Sequence, residues 1–205
     1  MIKQTFMEVL PDVWPMLIII TVIISSLRIA YLITKHKKFL LHKEIIYLLA
    51  IIYILCLFHV VTFQDINYGE SNFVPFKEIF RYSFGSHKFI RNVLGNIILF
   101  IPFGFLSSYL LKNRPLSVVT ILTLIASGTI ETVQYYIGRV FDIDDIILNL
   151  IGGIVGFLIF IGLDAIRNKV KLLKNDTVLD ILIIIILVLV MVYSLNINVF
   201  DLIGG

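Results

Sequence analysis

A chain of 205 residues in which 59% of side chains are hydrophobic and 15% charged is too apolar for a water-soluble domain, where roughly a quarter of residues carry charge. Its mean hydropathy of +1.00 places it in the bilayer class. The formal charge of +3 is small and scattered, so no nucleic acid is expected as partner, and the lone Cys56 excludes disulfides and cysteine-rich metal sites.

The N-terminus lacks the pattern of a cleaved signal peptide: Lys3 is balanced by Glu8 and Asp12, no small-residue cleavage site follows, and the first apolar run is too long. Crossing the hydrocarbon core takes roughly 20 apolar residues. Six segments meet that requirement, about Val13–Thr34, Ile45–Phe63, Asn92–Leu111, Leu116–Ile137, Ile146–Leu163 and Val178–Leu195. The first carries Arg28 near its Lys35 end, where a long side chain reaches the interface by snorkelling. In the third, Pro102 predicts a kink and a freed backbone carbonyl, tolerable where protein satisfies it. The fifth carries Gly152 and Gly156 in a G-x-x-x-G spacing with Gly153 alongside, which allows a second helix to approach closely. The last is the purest, with no polar residue from Ile181 to Val192. The expected fold is therefore all-α, a polytopic transmembrane bundle of about six helices forming a single integral membrane domain over residues 1–205.

Orientation follows from Lys and Arg in the connections. Lys35, Lys37, Lys38, Lys43, Lys112, Arg114, Arg167, Lys169, Lys171 and Lys174 lie on one side, against Lys3, Lys77, Arg81, Lys88, Arg91 and Arg139 on the other. The side with ten is expected to be cytoplasmic, which leaves both termini extracytoplasmic. The longest connection, from Gln64 to Arg91, then lies outside. Its stretch from Lys77 to Phe84 interleaves aromatics with Lys and Arg, suiting a short helix at the membrane surface.

Polar side chains within a membrane are costly, and here they gather toward the outer ends of spans three, four and five. Asn92 and Asn96 share one helix face; Ser127, Glu131 and Gln134 form a stripe on the next helix; Arg139, Asp142, Asp144 and Asp145 fill the turn, and Asn149 follows Asp145 by one helical turn. At 1.5 Å per residue, Asn96, Glu131 and Asn149 lie roughly 5–10 Å below their helix ends, so the stripes are expected to converge on one outward-facing pocket. Simpler roles accompany these. Asn92 and Gln134 suit packing between helices, Asp142 and Asp144 suit a solvated turn, and Asp145 suits an N-cap. Glu131 at that depth requires a partner, for which Arg139 is the expected one. His36, His42, His59 and His87 have no metal-ligand spacing, no metal site is expected, and no serine-nucleophile, phosphate-loop or H-E-x-x-H motif is present.

The segment Arg91-Asn92-x-x-Gly95-Asn96-Ile97-Ile98-Leu99-Phe100-Ile101-Pro102-Phe103-Gly104-Phe105 resembles a signature of the VanZ-like family. Ser127-Gly128-Thr129-Ile130-Glu131-Thr132-Val133-Gln134, with Arg139-x-x-Asp142-x-x-Asp145 and Asn149-x-x-Gly152, resembles its second signature, and Asn72-Phe73-Val74-Pro75-Phe76 is similar to its outer-loop element. The likeness runs over about residues 72–157, with a small departure at Gly128-Thr129. It implies an association with resistance to teicoplanin, a lipid-tailed glycopeptide, and it implies no reaction or cofactor.

Two functions fit these residues. In one, a non-enzymatic membrane protein binds a lipoglycopeptide or a lipid-linked cell-wall precursor through Arg91, Asn92, Asn96, Glu131, Gln134, Arg139, Asp142, Asp145 and Asn149, with membrane lipids around it and the arginines meeting phosphate or carboxylate. In the other, an intramembrane enzyme acts on a lipid head group with Glu131 as general base and Arg139 stabilising developing charge, and with Asp142 and Asp145 holding a divalent ion.

Overall fold

The protein is described by a computed structural model over residues 2–63, 71–111 and 115–194. Among these residues the fold is all-α, without a β-strand. It comprises α1 (Ile2–Thr34), α2 (Leu41–Phe63), α3 (His87–Leu111), α4 (Leu116–Tyr136), α5 (Ile143–Lys169) and α6 (Asp176–Ser194). Lys112, Arg114, Gln64 and Leu195 lie outside the described residues, as do the side chains of Lys3, Glu8 and Asp12. Five of the helices contain stretches long and apolar enough to cross a membrane, Trp14–Thr34, Leu41–Val61, His87–Leu111, Leu116–Tyr136 and Ile143–Lys169. The chain is a multi-pass membrane protein, and α6 covers the sixth expected span.

Helix limits depart from hydropathy where polar residues do structural work. α5 starts at Ile143, ahead of its apolar run, because Asp144 and Asp145 occupy its first turn, where the positive end of the helix dipole favours carboxylates. It continues to Lys169, with Arg167 and Lys169 in the last turn at the negative end. α3 starts at His87, where the Ser86 hydroxyl accepts the Phe89 N–H as an N-cap. It then passes through a π-helical turn at Ile90–Leu94 before regular α-helix resumes at Gly95. The stretch Lys77 to Phe84 is a run of turns, not the short surface helix expected.

The chain divides into two compact units, one comprising Met1–Leu17 with Ile52–Asp164 and the other Ile18–Ile51 with Ala165–Gly205. In the first, glycines bring α3 and α5 into backbone contact and seat the Thr123 side chain of α4 against α5. A Cβ on Gly104 would collide with the Gly153 carbonyl, one on Gly152 with the Ile97 carbonyl, and one on Gly156 with the Ile101 carbonyl. Gly153 faces the Thr123 side chain of α4. Lipid tails are as apolar as leucine, so membrane helices associate through such close packing rather than through release of water. Pro102 is accommodated inside α3. Close to it in sequence, the Tyr53 hydroxyl of α2 donates to the Leu99 carbonyl at 2.9 Å, giving a main-chain acceptor of this helix a second partner.

In the second unit Arg28 and His42 find acidic partners. Arg28 does not snorkel alone: its guanidinium forks onto Glu44 at 2.9 and 3.0 Å and lies over the Tyr31 and Tyr47 rings. His42, expected to stand isolated, is buried. Its Nδ1 lies 2.7 Å from Asp180 Oδ1, the same oxygen accepts the His42 backbone N–H at 2.8 Å, and Asp176 is 3.5 Å from Nε2. Asp180 thus supplies the acceptor that the first turn of α2 lacks.

The glycine contacts generate a graded expectation. Gly104→Ala or Gly152→Ala forces backbones apart and should destabilise the protein by about 1–3 kcal/mol, the range for overpacking a close interface. Gly128→Ala, where a Cβ meets nothing within 4 Å, should leave the midpoint of thermal unfolding in detergent unchanged or slightly raised. Equal effects at the three positions would remove the glycine interface as the organising contact.

Candidate functional site

The site is built outward from the start of α5. Asp142 Oδ1 accepts the Asp144 backbone N–H at 2.9 Å, so Asp142, and not Asp145, is the N-cap. The same oxygen accepts from Asn72 Nδ2 at 2.9 Å. Asn72 also bridges the main chain there, its N–H donating to the Phe141 carbonyl at 2.8 Å and its carbonyl accepting the Ile143 N–H at 3.0 Å. Its Oδ1 accepts from Val74 N–H at 3.1 Å, an Asx turn that fixes the direction of the following loop. Burial pushes the Asp142 carboxyl above the usual carboxylate range, aided by the neighbouring Asp144 and Glu78 charges, while the hydrogen bonds from Asn72 and the Asp144 N–H pull it back.

Asp144 is not a solvated turn residue. It is 1% exposed, and its two oxygens accept the backbone N–H groups of Phe76, of Glu78 at 2.7 Å and of Ile79 at 3.2 Å. Phe76 holds a left-handed backbone, φ +67°, which a bulky residue adopts only under constraint. The Asp144 carboxylate supplies that constraint by accepting its N–H.

The stripe on α4 is where the sequence places it, and longer. Val119, Thr123, Ser127, Glu131 and Gln134 are all buried. Glu131, 2% exposed, accepts the Asp142 backbone N–H on Oε2 at 2.9 Å. Gln134 stands between Glu131 and Arg139. With its amide nitrogen toward Glu131 it donates to Oε1 at 3.0 Å and accepts from Arg139 Nη1 at 2.9 Å; the opposite orientation sets like groups face to face. Arg139 Nη1 also donates to the Val61 carbonyl at the end of α2, 2.7 Å away. The expected direct ion pair between Glu131 and Arg139 is therefore replaced by a relay through an amide.

On α3 and α5, Asn96 Nδ2 donates to Asp145 Oδ1, and Asn149 Nδ2 donates to the Ser127 hydroxyl at 2.8 Å. Asn149 is 3% exposed, and its buried Oδ1 has no hydrogen-bond partner among the described residues. Asn96, Gln134, Glu131, Arg139, Asp142, Asp145 and Asn149 are thus drawn into one region at the ends of α3, α4 and α5. Among the described residues, Arg91 and Asn92 make no hydrogen bond into it. They lie in the π-helical turn, Arg91 exposed and Asn92 half-buried, because the wider turn offsets Asn92 from the face that Asn96 presents. Among the described residues no three His, Cys, Asp or Glu side chains are grouped to hold a metal ion.

These elements coincide with a known family. A profile described as VanZ/LLP1 matches residues 44–167, more than half of the chain. The chain belongs to the VanZ/LLP1 family. No curated protein and no solved structure matches it. Within this VanZ/LLP1 protein, the two residues that sequence reasoning undervalued are Asn72 and Asp144. Both carried a signal: Asn72 precedes Val74-Pro75 with Asx-turn spacing, and Asp142-x-Asp144 has the spacing of a cap whose second acid falls inside the helix.

Asp144→Ala leaves three backbone N–H groups without their acceptor, and each orphaned group costs about 1–3 kcal/mol. Amide exchange at Glu78 and Ile79 should accelerate well beyond that at the Asx-turn amide of Val74, and the protein should unfold at lower temperature. Unchanged exchange across residues 76–79 would show that the loop holds itself.

Proposed function

We propose that this VanZ/LLP1 protein binds the head group of an amphiphile, either a lipid-tailed glycopeptide of the teicoplanin type or the lipid-linked cell-wall precursor such antibiotics target, at the membrane surface where α5 begins. The observation that carries this is the partition of the polar cluster. Glu131, Gln134, Ser127 and Asn149 are buried, whereas Asn96, Arg139, Asp142 and Asp145 are half-buried and Arg91 is exposed. A membrane interior that needed only packing is served by glycine and apolar side chains, as at Gly104 and Gly152. Retaining four carboxylates at one end of three spans accords with a rim that meets polar chemistry, on a core that holds the rim in place.

In this arrangement Arg91 and Arg139 meet phosphate or carboxylate, and Asp142 and Asp145 meet amine or hydroxyl groups. Glu131 holds the rim: one oxygen accepts the Asp142 N–H and the other the Gln134 amide. Both of its oxygens are engaged, which favours binding over proton abstraction by Glu131. The positive-inside balance orients this surface to the extracytoplasmic side, where both candidate ligands occur.

Purified protein in nanodiscs should bind teicoplanin, and Arg91→Gln and Asp145→Asn should each weaken binding about tenfold, as expected for loss of a charge-assisted hydrogen bond, with thermal stability unchanged in the exposed Arg91→Gln variant. Resistance conferred on a susceptible host should fall in parallel. Glu131→Gln should instead lower stability along with resistance. Full binding by both rim variants would exclude the rim as the ligand surface. In a Cys56→Ser background, Asp142→Cys should react with an impermeant thiol reagent from outside intact cells and Lys169→Cys should not; the reverse would invert the orientation.

A further inference from the structure

The loop between α2 and α3 has a composition that the polar cluster does not explain. From Phe73 to Phe84 it displays Phe73, Val74, Phe76, Phe80 and Phe84 outward, with Phe80 82% and Phe84 92% exposed. Lys77, Lys88 and Arg91 are exposed beside them, Arg81 pairs with Glu78 at 3.0 Å, and Glu78 is the one acidic residue in the stretch. A run of bulky apolar side chains facing water is unfavourable, and contiguous patches of this kind mark contact surfaces.

We infer that this loop is a preformed wedge that sinks its phenylalanines into the adjoining leaflet and recruits anionic phospholipid through Lys77 and Lys88. Three features of the loop select a lipid leaflet as the occupant. First, the loop is tied to helix ends that mark the membrane boundary: Asn72 to the start of α5, and the Phe76, Glu78 and Ile79 amides to Asp144 in its first turn. Its apolar side chains are therefore level with the interface. Second, the aromatic rings pack against the turn before α5 and the first turn of α3. Phe73 stacks on Phe141 with centroids 5.2 Å apart, and Phe84 packs on Phe89 of α3 at 5.1 Å. Third, phenylalanine interleaved with an excess of lysine and arginine is complementary to hydrocarbon beneath a layer of phosphate. Because a buried carboxylate holds the backbone, the wedge needs no folding upon contact with lipid. The inference rests on the membrane character of the chain and is independent of what the polar cluster binds.

The test uses full-length protein carrying Cys56→Ser, with Phe84→Cys, Phe80→Cys or Lys77→Cys labelled by an environment-sensitive fluorophore and reconstituted in phosphatidylcholine vesicles with or without phosphatidylglycerol. Brominated lipid tails should quench the labels at positions 80 and 84, and aqueous iodide should quench the label at 77. Brominated phosphatidylglycerol should quench more strongly than brominated phosphatidylcholine. Lys77→Gln with Lys88→Gln should reduce that preference, by about fivefold for each basic side chain removed, while thermal stability stays constant. Iodide quenching at 80 and 84 equal to that at 77 would overturn the wedge. Equal quenching by the two brominated lipids would overturn the recruitment of anionic lipid.

Discussion

Where α5 enters the membrane, carboxylates accept main-chain N–H groups, and the geometry of that end of the molecule hangs on those bonds. A helix terminus leaves its first N–H groups without partners, and in a bilayer water is a poor remedy. Asp142 answers for the Asp144 N–H, Glu131 of α4 answers for the Asp142 N–H, and the buried Asp144 holds three amides of the loop between α2 and α3. One helix start therefore fixes the neighbouring helix and the approach to α3 together. The acidic residues that look like a binding site by composition are, in the first place, the scaffold of that site.

The glycine contacts set the register on which this depends. Gly104 against Gly153, and Gly152 and Gly156 against the carbonyls of Ile97 and Ile101, fix how far α3 and α5 slide past one another. A displacement by one turn, about 5.4 Å, would part Asn96 from Asp145. Thr123, packed against Gly153, and Ser127, bonded to Asn149, tie α4 to the same register. Apolar packing deep in the membrane thus determines which polar groups meet near its surface.

Spans were legible because a 20-residue apolar run has few alternatives in a membrane, and the polar stripe on α4 was legible because helical periodicity brings Ser127, Glu131 and Gln134 to one face. Partners were legible less often. The Glu131–Arg139 pairing failed since charge complementarity alone does not reveal an amide placed between them. The start of α5 was misplaced because hydropathy begins at the first apolar run, while the helix begins at the residue whose side chain caps it. Asn92 kept its helical spacing in sequence but lost its place because a π-helical turn alters the rotation. His42 and Asp180 are 138 residues apart, and nothing local in either segment announces the other.

That last pair bears on how the molecule is made. The amide of His42, in the first turn of α2, and its imidazole both look to Asp180 on α6. A ribosome therefore delivers the acceptor long after α2 has entered the bilayer. Until then the start of α2 is an open end, joined to α1 through the Arg28–Glu44 fork but without the acceptor for its own His42 amide. Completion of this helix start is therefore a long-range event that waits for the arrival of α6. Helix α6, apolar and plain in composition, carries at its base the acceptor that completes the start of α2.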